Sequence, residues 1–213
     1  MMPRPGRART LRSVSTLQDQ PRELYFEALQ AALAAYYLAD PDNPYQQSGR
    51  SSGAARWEET RRPLAHAVER DGDYLDVGCA NGLLLETTMA WCAERGLTIR
   101  PHGVDFIPEL VALARVRLPE HAASLHVANA WNWQPPQQYD VVRTNLEHVP
   151  RADWEVFVRR QLDWVVPGGR LIVCHYRNRD EPVVDVATQL EAWGFGVAGR
   201  IHDPVEAAWT DRT

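Results

Sequence analysis

From Asp73 onward the chain alternates short apolar runs with segments of helical periodicity, and this alternation limits what it can fold into. Apolar runs at 74–77, 102–104, 124–128, 139–144 and 170–175 read as strands. Helices are expected between them at 82–95, 108–118 and 152–165, the last ending at Pro167-Gly168-Gly169, and at 181–193 after the fifth strand. Strands joined through helices pair in parallel, with helices on both faces of the sheet and ligands at the carboxyl ends of the strands. Two final strands, 197–202 and 207–210, have no full crossover helix between them, which favours a terminal hairpin with one antiparallel strand. The expected architecture is α/β, a mostly parallel seven-stranded sheet.

Before this core, residues 21–39 read as a helix that opens on Pro21, and 54–70 as a second. Residues 1–20 read as a flexible basic tail: the start carries four arginines but lacks the apolar stretch of a secretory signal. No apolar run approaches the length of about 18 residues that a membrane helix needs. A cytoplasmic location, without membrane attachment, is the expectation.

The sequence contains no lysine, so all 23 basic residues are arginine. That removes the Walker-type phosphate lysine, the pyridoxal Schiff-base lysine and the Tyr-x-x-x-Lys pair of many short-chain dehydrogenases. A net charge of −5 argues against a general nucleic-acid binder. Cys79, Cys92 and Cys174 have no CxxC spacing, and the histidines have no metal-ligand spacing, so no metal is expected. A small-molecule partner is the remaining class. Oligomeric state is not legible.

The most informative stretch is 74–86, where a strand ends in Asp76 and a turn with Gly78, Cys79, Ala80 and Gly82 opens a helix. Glycine allows close backbone approach, and the helix start offers free N–H groups to a nucleotide-derived ligand. The order Asp-x-Gly-x-Ala-x-Gly is not the Gly-x-Gly-x-x-Gly of dinucleotide folds. It resembles the first motif of the class I, Rossmann-like S-adenosylmethionine-dependent methyltransferases. Asp105 after the second strand, Asn129-Ala130-Trp131 after the third, the 139–150 segment and Pro167-Gly168-Gly169 occur in the order that this family shows. The resemblance spans about 54–209. It implies S-adenosyl-L-methionine as cofactor, with a core at 71–213 and an N-terminal helical lid or acceptor wall at 21–70.

The resemblance also assigns roles. Asp105 would accept from both ribose hydroxyls, with Phe106 and Ile107 beside the adenine. Asn129 stands where the family often has an acid, and its amide oxygen can still accept from the adenine amino group. Trp131 either stacks on the ring or packs a loop. Thr144 lies on the exit of the fourth strand, beside the cofactor. His148, just after that strand, is the first candidate base, with a hydrogen-bonded loop histidine as the plainer reading; His175 is the second. Tyr36, Tyr37, Trp57 and Tyr176 are candidate acceptor contacts, and Arg56 a candidate partner for the cofactor's carboxylate. Docking of the helices onto the core explains the same N-terminal aromatics. The competing functions are a methyltransferase-like binding protein without catalysis and an NAD(P)-dependent oxidoreductase.

Overall fold

The computed structural model describes residues 21–49, 53–176, 184–203 and 205–213. The proposed tail at 1–20, the start of the 181–193 helix and Ser51-Ser52 lie outside them. Two helices, α1 (Arg22–Tyr37) and α2 (Ala54–Ala65), precede the sheet. Then follow β1 (Gly72–Val77), α3 (Leu83–Ala93), β2 (Ile99–Asp105), α4 (Pro108–Arg117), β3 (Leu125–Val127) and β4 (Tyr139–Asn145). The chain continues with α5 (Trp154–Leu162), β5 (Val165–His175), α6 (Val186–Ala192), β6 (Gly199–Ile201) and β7 (Glu206–Asp211).

The seven strands form one sheet in the order β3-β2-β1-β4-β5-β7-β6. β1 to β5 run parallel, and β7 is antiparallel to both β5 and β6. This is the expected architecture, terminal hairpin included. Both edge strands, β3 and β6, are three residues long.

Alternation along the strands sends neighbouring side chains to opposite faces. Tyr74, Val141, Ile172 and Ala207 join one buried cluster with Trp57 and Leu64 of α2, Leu84 of α3 and Val111 of α4. Their neighbours Leu75, Val142, Leu171 and Ala208 join the other, with Phe157 of α5 and Leu190 of α6. The apolar strands are thus covered on both faces, as a parallel sheet requires.

Several boundaries shift by two or three residues from the sequence expectation, and two differ by more. α2 ends at Ala65 rather than near Arg70, and residues 66–68 instead make tighter i to i−3 hydrogen bonds to Pro63, Leu64 and Ala65. β5 begins at Val165, so Pro167-Gly168-Gly169 is an irregularity inside a strand rather than the turn that precedes one. Tyr139 pairs with Val165, and pairing resumes at Val141 with Arg170. A Cβ on Gly169 would lie 2.7 Å from the Asp140 carbonyl oxygen, which explains the glycine there.

Leu75 is fully buried on β1, between β2 and β4. Leu75→Ala is expected to lower unfolding free energy by about 2–5 kcal/mol in urea denaturation, because the surrounding sheet cannot collapse into the void.

Candidate functional site

The carboxyl ends of β1, β2 and β4 and the turns that follow them converge on one edge of the sheet. The turn after β1 is held in shape by the carboxylate after β2. Asp105 Oδ2 accepts from Ala80 N–H at 2.9 Å, and Oδ1 accepts from Ile107 N–H at 2.9 Å. Burial raises the Asp105 carboxyl to about 6, with these two N–H groups pulling the other way. Each oxygen keeps a lone pair for a further donor.

Ala80 holds φ +48, a left-handed conformation that non-glycine residues seldom adopt. Gly78 and Gly82 also have positive φ, and Gly82 is the residue before α3. Cys79 is buried, with its sulfur packed where Gly103 of β2 leaves room for it.

Beneath this turn lies a charge pair that the sequence reading missed. Asp76 and Arg143 are register partners on β1 and β4, both nearly inaccessible, and Arg143 Nη1 donates to Asp76 Oδ1 at 2.9 Å. Burial pushes the Asp76 carboxyl up, and Arg143 pulls it back. Arg143 Nη2 also donates to Asn145 Oδ1 at 2.6 Å and to the Tyr176 hydroxyl at 2.8 Å. Among the described residues, Asp76 Oδ2 and Arg143 Nε are buried without a hydrogen-bond partner. An arginine in the middle of an apolar strand was the available signal, since a buried charge requires an opposite one.

His148 sits against the same turn: a Cβ on Gly78 would lie 2.3 Å from its Nε2. Its ring nitrogens stand 3.4 Å from Thr144 Oγ1 and 3.3 Å from Asn145 Nδ2, and its ring meets Phe157 edge-on. Burial, and then the charge on Arg143, lower it to about 4, so the imidazole is neutral at physiological pH. His175 is engaged elsewhere, 2.7 Å from Glu147 Oε1. Burial alone would raise Glu147, but His175 and the Tyr176 N–H hold its carboxyl below the ordinary glutamate range. The two histidines therefore have different immediate partners, joined through Asn145, Arg143, Tyr176 and Glu147.

The adenine-side candidates divide. Ile107 is buried with Ala80 and Leu110, and Phe106 packs on that cluster. Asn129 Oδ1 accepts from Trp131 N–H at 2.9 Å, a local turn bond that occupies one of the lone pairs expected to face a ligand. The Trp131 ring stacks near Phe157 and carries the Arg22 guanidinium 4.0 Å from its centroid, an arrangement that fits loop packing. Ala130 packs against the α5–α6 side of the core.

The N-terminal helix covers this edge. Arg22 makes a two-pronged bond to Asp153 at 2.8 and 2.7 Å, and Gln30 Nε2 donates to the Phe106 carbonyl at 2.7 Å. Tyr37 packs on the Ala80–Ile107–Leu110 cluster, and Tyr36 meets it edge-on. After α1, the chain is clipped to the turn by Asn81, another residue that the sequence reading passed over. Its Nδ2 donates to the Pro44 carbonyl at 3.0 Å and to Gln47 Oε1 at 3.1 Å, and its Oδ1 accepts from Ser48 and from Leu83 N–H. Trp57 is buried between α2 and α3, with Nε1 3.3 Å from Thr87 Oγ1, which is a docking role.

Arg56, expected as a partner for the cofactor's carboxylate, lies on the exposed side of α2 and is paired with Glu59 at 2.5 Å. The buried arginine of that helix is Arg61, five residues further on and packed against the Tyr176 ring.

Residues 75–169 match the family model of a methyltransferase domain. The trans-aconitate 2-methyltransferase of Sinorhizobium medicae is 28% identical over 151 residues, 67% of this chain and 56% of that protein. A ubiquinone biosynthesis O-methyltransferase of Pseudomonas fluorescens is 35% identical over 103 residues, 46% of this chain and 41% of that one. The matched stretch spans about half the length of these relatives. Among solved structures, the fold is similar to a Burkholderia thailandensis 1,6-didemethyltoxoflavin-N1-methyltransferase, with a TM-score of 0.62, 15% identity and 91% of both chains covered.

Two substitutions probe this edge. Arg143→Met leaves Asp76 charged and unpaired, and is expected to destabilise by about 3–5 kcal/mol; adding Asp76→Asn should recover most of that in the same denaturation assay. Ala80→Gly should stabilise by about 0.5–1 kcal/mol, because it relieves the positive φ.

Proposed function

We propose, for a chain that belongs through its core to the class I S-adenosylmethionine-dependent methyltransferases, that it transfers the methyl group of S-adenosyl-L-methionine to a small-molecule acceptor. The observation that carries this reading is the buried Asp105 carboxylate at the mouth of the glycine turn, with a free lone pair on each oxygen. A ribose diol offers two donors for those positions. The donor set fits the rest of the cofactor too. The unpartnered Asp76 Oδ2 suits an ammonium group, and the left-handed turn at 78–82 brings backbone close.

When bound, the cofactor supplies a methyl group already activated by its sulfonium. What remains for the protein is to bind, orient and exclude water. Asp105 fixes the ribose; Phe106 and Ile107 flank the adenine, and Asn129, Ala130 and Trp131 close that end. Gly78, Cys79, Ala80 and Gly82 shape the cradle over Asp76, and Thr144 lines it from β4. Residues 21–70 form the lid and acceptor wall, to which Tyr36, Tyr37 and Trp57 contribute, together with Tyr176, just after β5. His148, neutral and adjacent to Gly78, is the first candidate to take a proton from the acceptor, and His175 the second. The protein acts in the cytoplasm on a small molecule rather than on nucleic acid; no helix of the described residues is long and apolar enough to cross a membrane.

Calorimetric titration with S-adenosylmethionine, S-adenosylhomocysteine and NADH tests the reading. Both adenosyl compounds should bind and NADH should not, and Asp105→Ala should weaken binding by roughly 10- to 100-fold. Binding of NADH alone would overturn it. The pH dependence has a defined sign. Folding raises the Asp105 carboxyl, so the folded chain retains a proton that the unfolded chain releases between the ordinary value of 3.8 and about 6. Stability from this group therefore falls as pH rises through that window, and the ionised acceptor is available above it. Affinity for S-adenosylhomocysteine should decline as pH drops below about 6, by up to ~tenfold per pH unit, and Asp105→Asn should abolish that decline.

A further inference from the structure

The side-chain amide of Asn145 cannot be turned end for end. Arg143 Nη2 donates to its Oδ1 at 2.6 Å, and a guanidinium has no atom that could accept from an amide N–H. Arg143 is itself held by Asp76 and by the Tyr176 hydroxyl, at 2.9 and 2.8 Å. The amide nitrogen of Asn145 therefore faces the other way, where it stands 3.3 Å from His148 Nε2. On the far side of the ring, Nδ1 lies 3.4 Å from Thr144 Oγ1.

These contacts bear on where His148 keeps its proton. Burial and the charge on Arg143 lower the imidazole to about 4, with the Glu147 carboxylate acting in the opposite direction, so the ring is neutral and carries one N–H. A hydroxyl both donates and accepts, and Thr144 can serve either tautomer. Asn145 cannot, because its Nδ2 only donates. A proton on Nε2 would oppose the amide hydrogens, whereas a lone pair there accepts from one of them. That leaves the proton on Nδ1, donated to Thr144 Oγ1. The bare Nε2 lies at the glycine turn, 2.3 Å from where a Cβ on Gly78 would stand. At 3.3 Å the Asn145 bond is long, so a better donor can compete for the same lone pair.

We infer that Asn145 is a positioning residue, clamped by Arg143, that fixes the proton of His148 on Nδ1 and keeps Nε2 as a lone pair beside the glycine turn. The series runs outward from the buried ion pair: Asp76 orients Arg143, Arg143 orients the Asn145 amide, and the amide selects the tautomer. The geometry of this lock is independent of the cofactor reading above. Its use, an Nε2 ready to take the acceptor's proton, rests on that reading.

Long-range nitrogen–proton NMR on the full isotope-labelled chain tests the lock, because protonated and bare imidazole nitrogens resonate far apart. The His148 signals are assigned among the seven histidines by their loss in His148→Gln. At neutral pH the wild type should show a single species, protonated on Nδ1 and bare on Nε2. Asn145→Asp supplies an acceptor in place of the donor, so the proton should move to Nε2 and the ring should titrate about 1–3 pH units higher. Asn145→Ala removes the donor alone and should give a mixture of both tautomers. Thermal melting shows whether each variant is folded. A residue that only packs would alter the melting temperature and leave the tautomer as it was. The inference is overturned if the wild type carries the proton on Nε2 or populates both forms, or if a folded Asn145 variant keeps the wild-type tautomer. Should neither variant fold, the wild-type spectrum decides alone. Added S-adenosylhomocysteine should shift the His148 Nε2 signal without changing the tautomer. A wild type with the expected tautomer that fails to bind this compound would overturn the cofactor reading and leave the lock standing.

Discussion

At the centre of the sheet, where β1 and β4 lie side by side, an aspartate and an arginine face each other at matched register with almost no access to water. A lone charge there would be intolerable, so each requires the other, and the pairing ties the strand that opens the glycine turn to the strand that leads into His148. The remaining bonds of Arg143 reach Asn145 and Tyr176, which extends the tie to the end of β5. Three loops at one edge of the sheet are thereby held by a single guanidinium. The geometry of the turn above it, Ala80 included, is then completed by Asp105 from the opposite side.

The two carboxylates of the site are differentiated by what neutralises them. Asp76 is matched by a formal charge, whereas Asp105 is held by peptide N–H groups, those of Ala80 and Ile107 foremost. The first is thus a structural anchor with one spare oxygen, and the second an acid whose ionisation is sensitive to its surroundings. This division of labour follows from β1 having a cation-bearing neighbour at that level, while among the described residues Asp105 is held by peptide groups instead.

Much of this was legible in the sequence. The alternation of apolar runs and helices gave the parallel sheet, and the missing crossover before the final strand gave the antiparallel hairpin, because both depend on local periodicity. The glycine turn and Asp105 were legible because strand ends and turn chemistry are local too. Arg143, Arg61 and Asn81 were not singled out, since their roles rest on partners 67, 115 and up to 37 residues away. Arg56 drew attention in place of Arg61 because helical position alone does not say which face turns inward. The β5 boundary was missed for a different reason: Pro-Gly-Gly is a turn signal, and only the pairing of Val165 with Tyr139 reveals that the strand passes through it.

Both margins of the sheet end in three-residue strands, β3 and β6. An edge this short exposes few unpaired peptide groups, and so offers little template for a foreign strand to extend the ladder. Two copies of this chain brought into contact thus have little backbone with which to extend one sheet by the other, which leaves contacts between side chains as the favoured route to association.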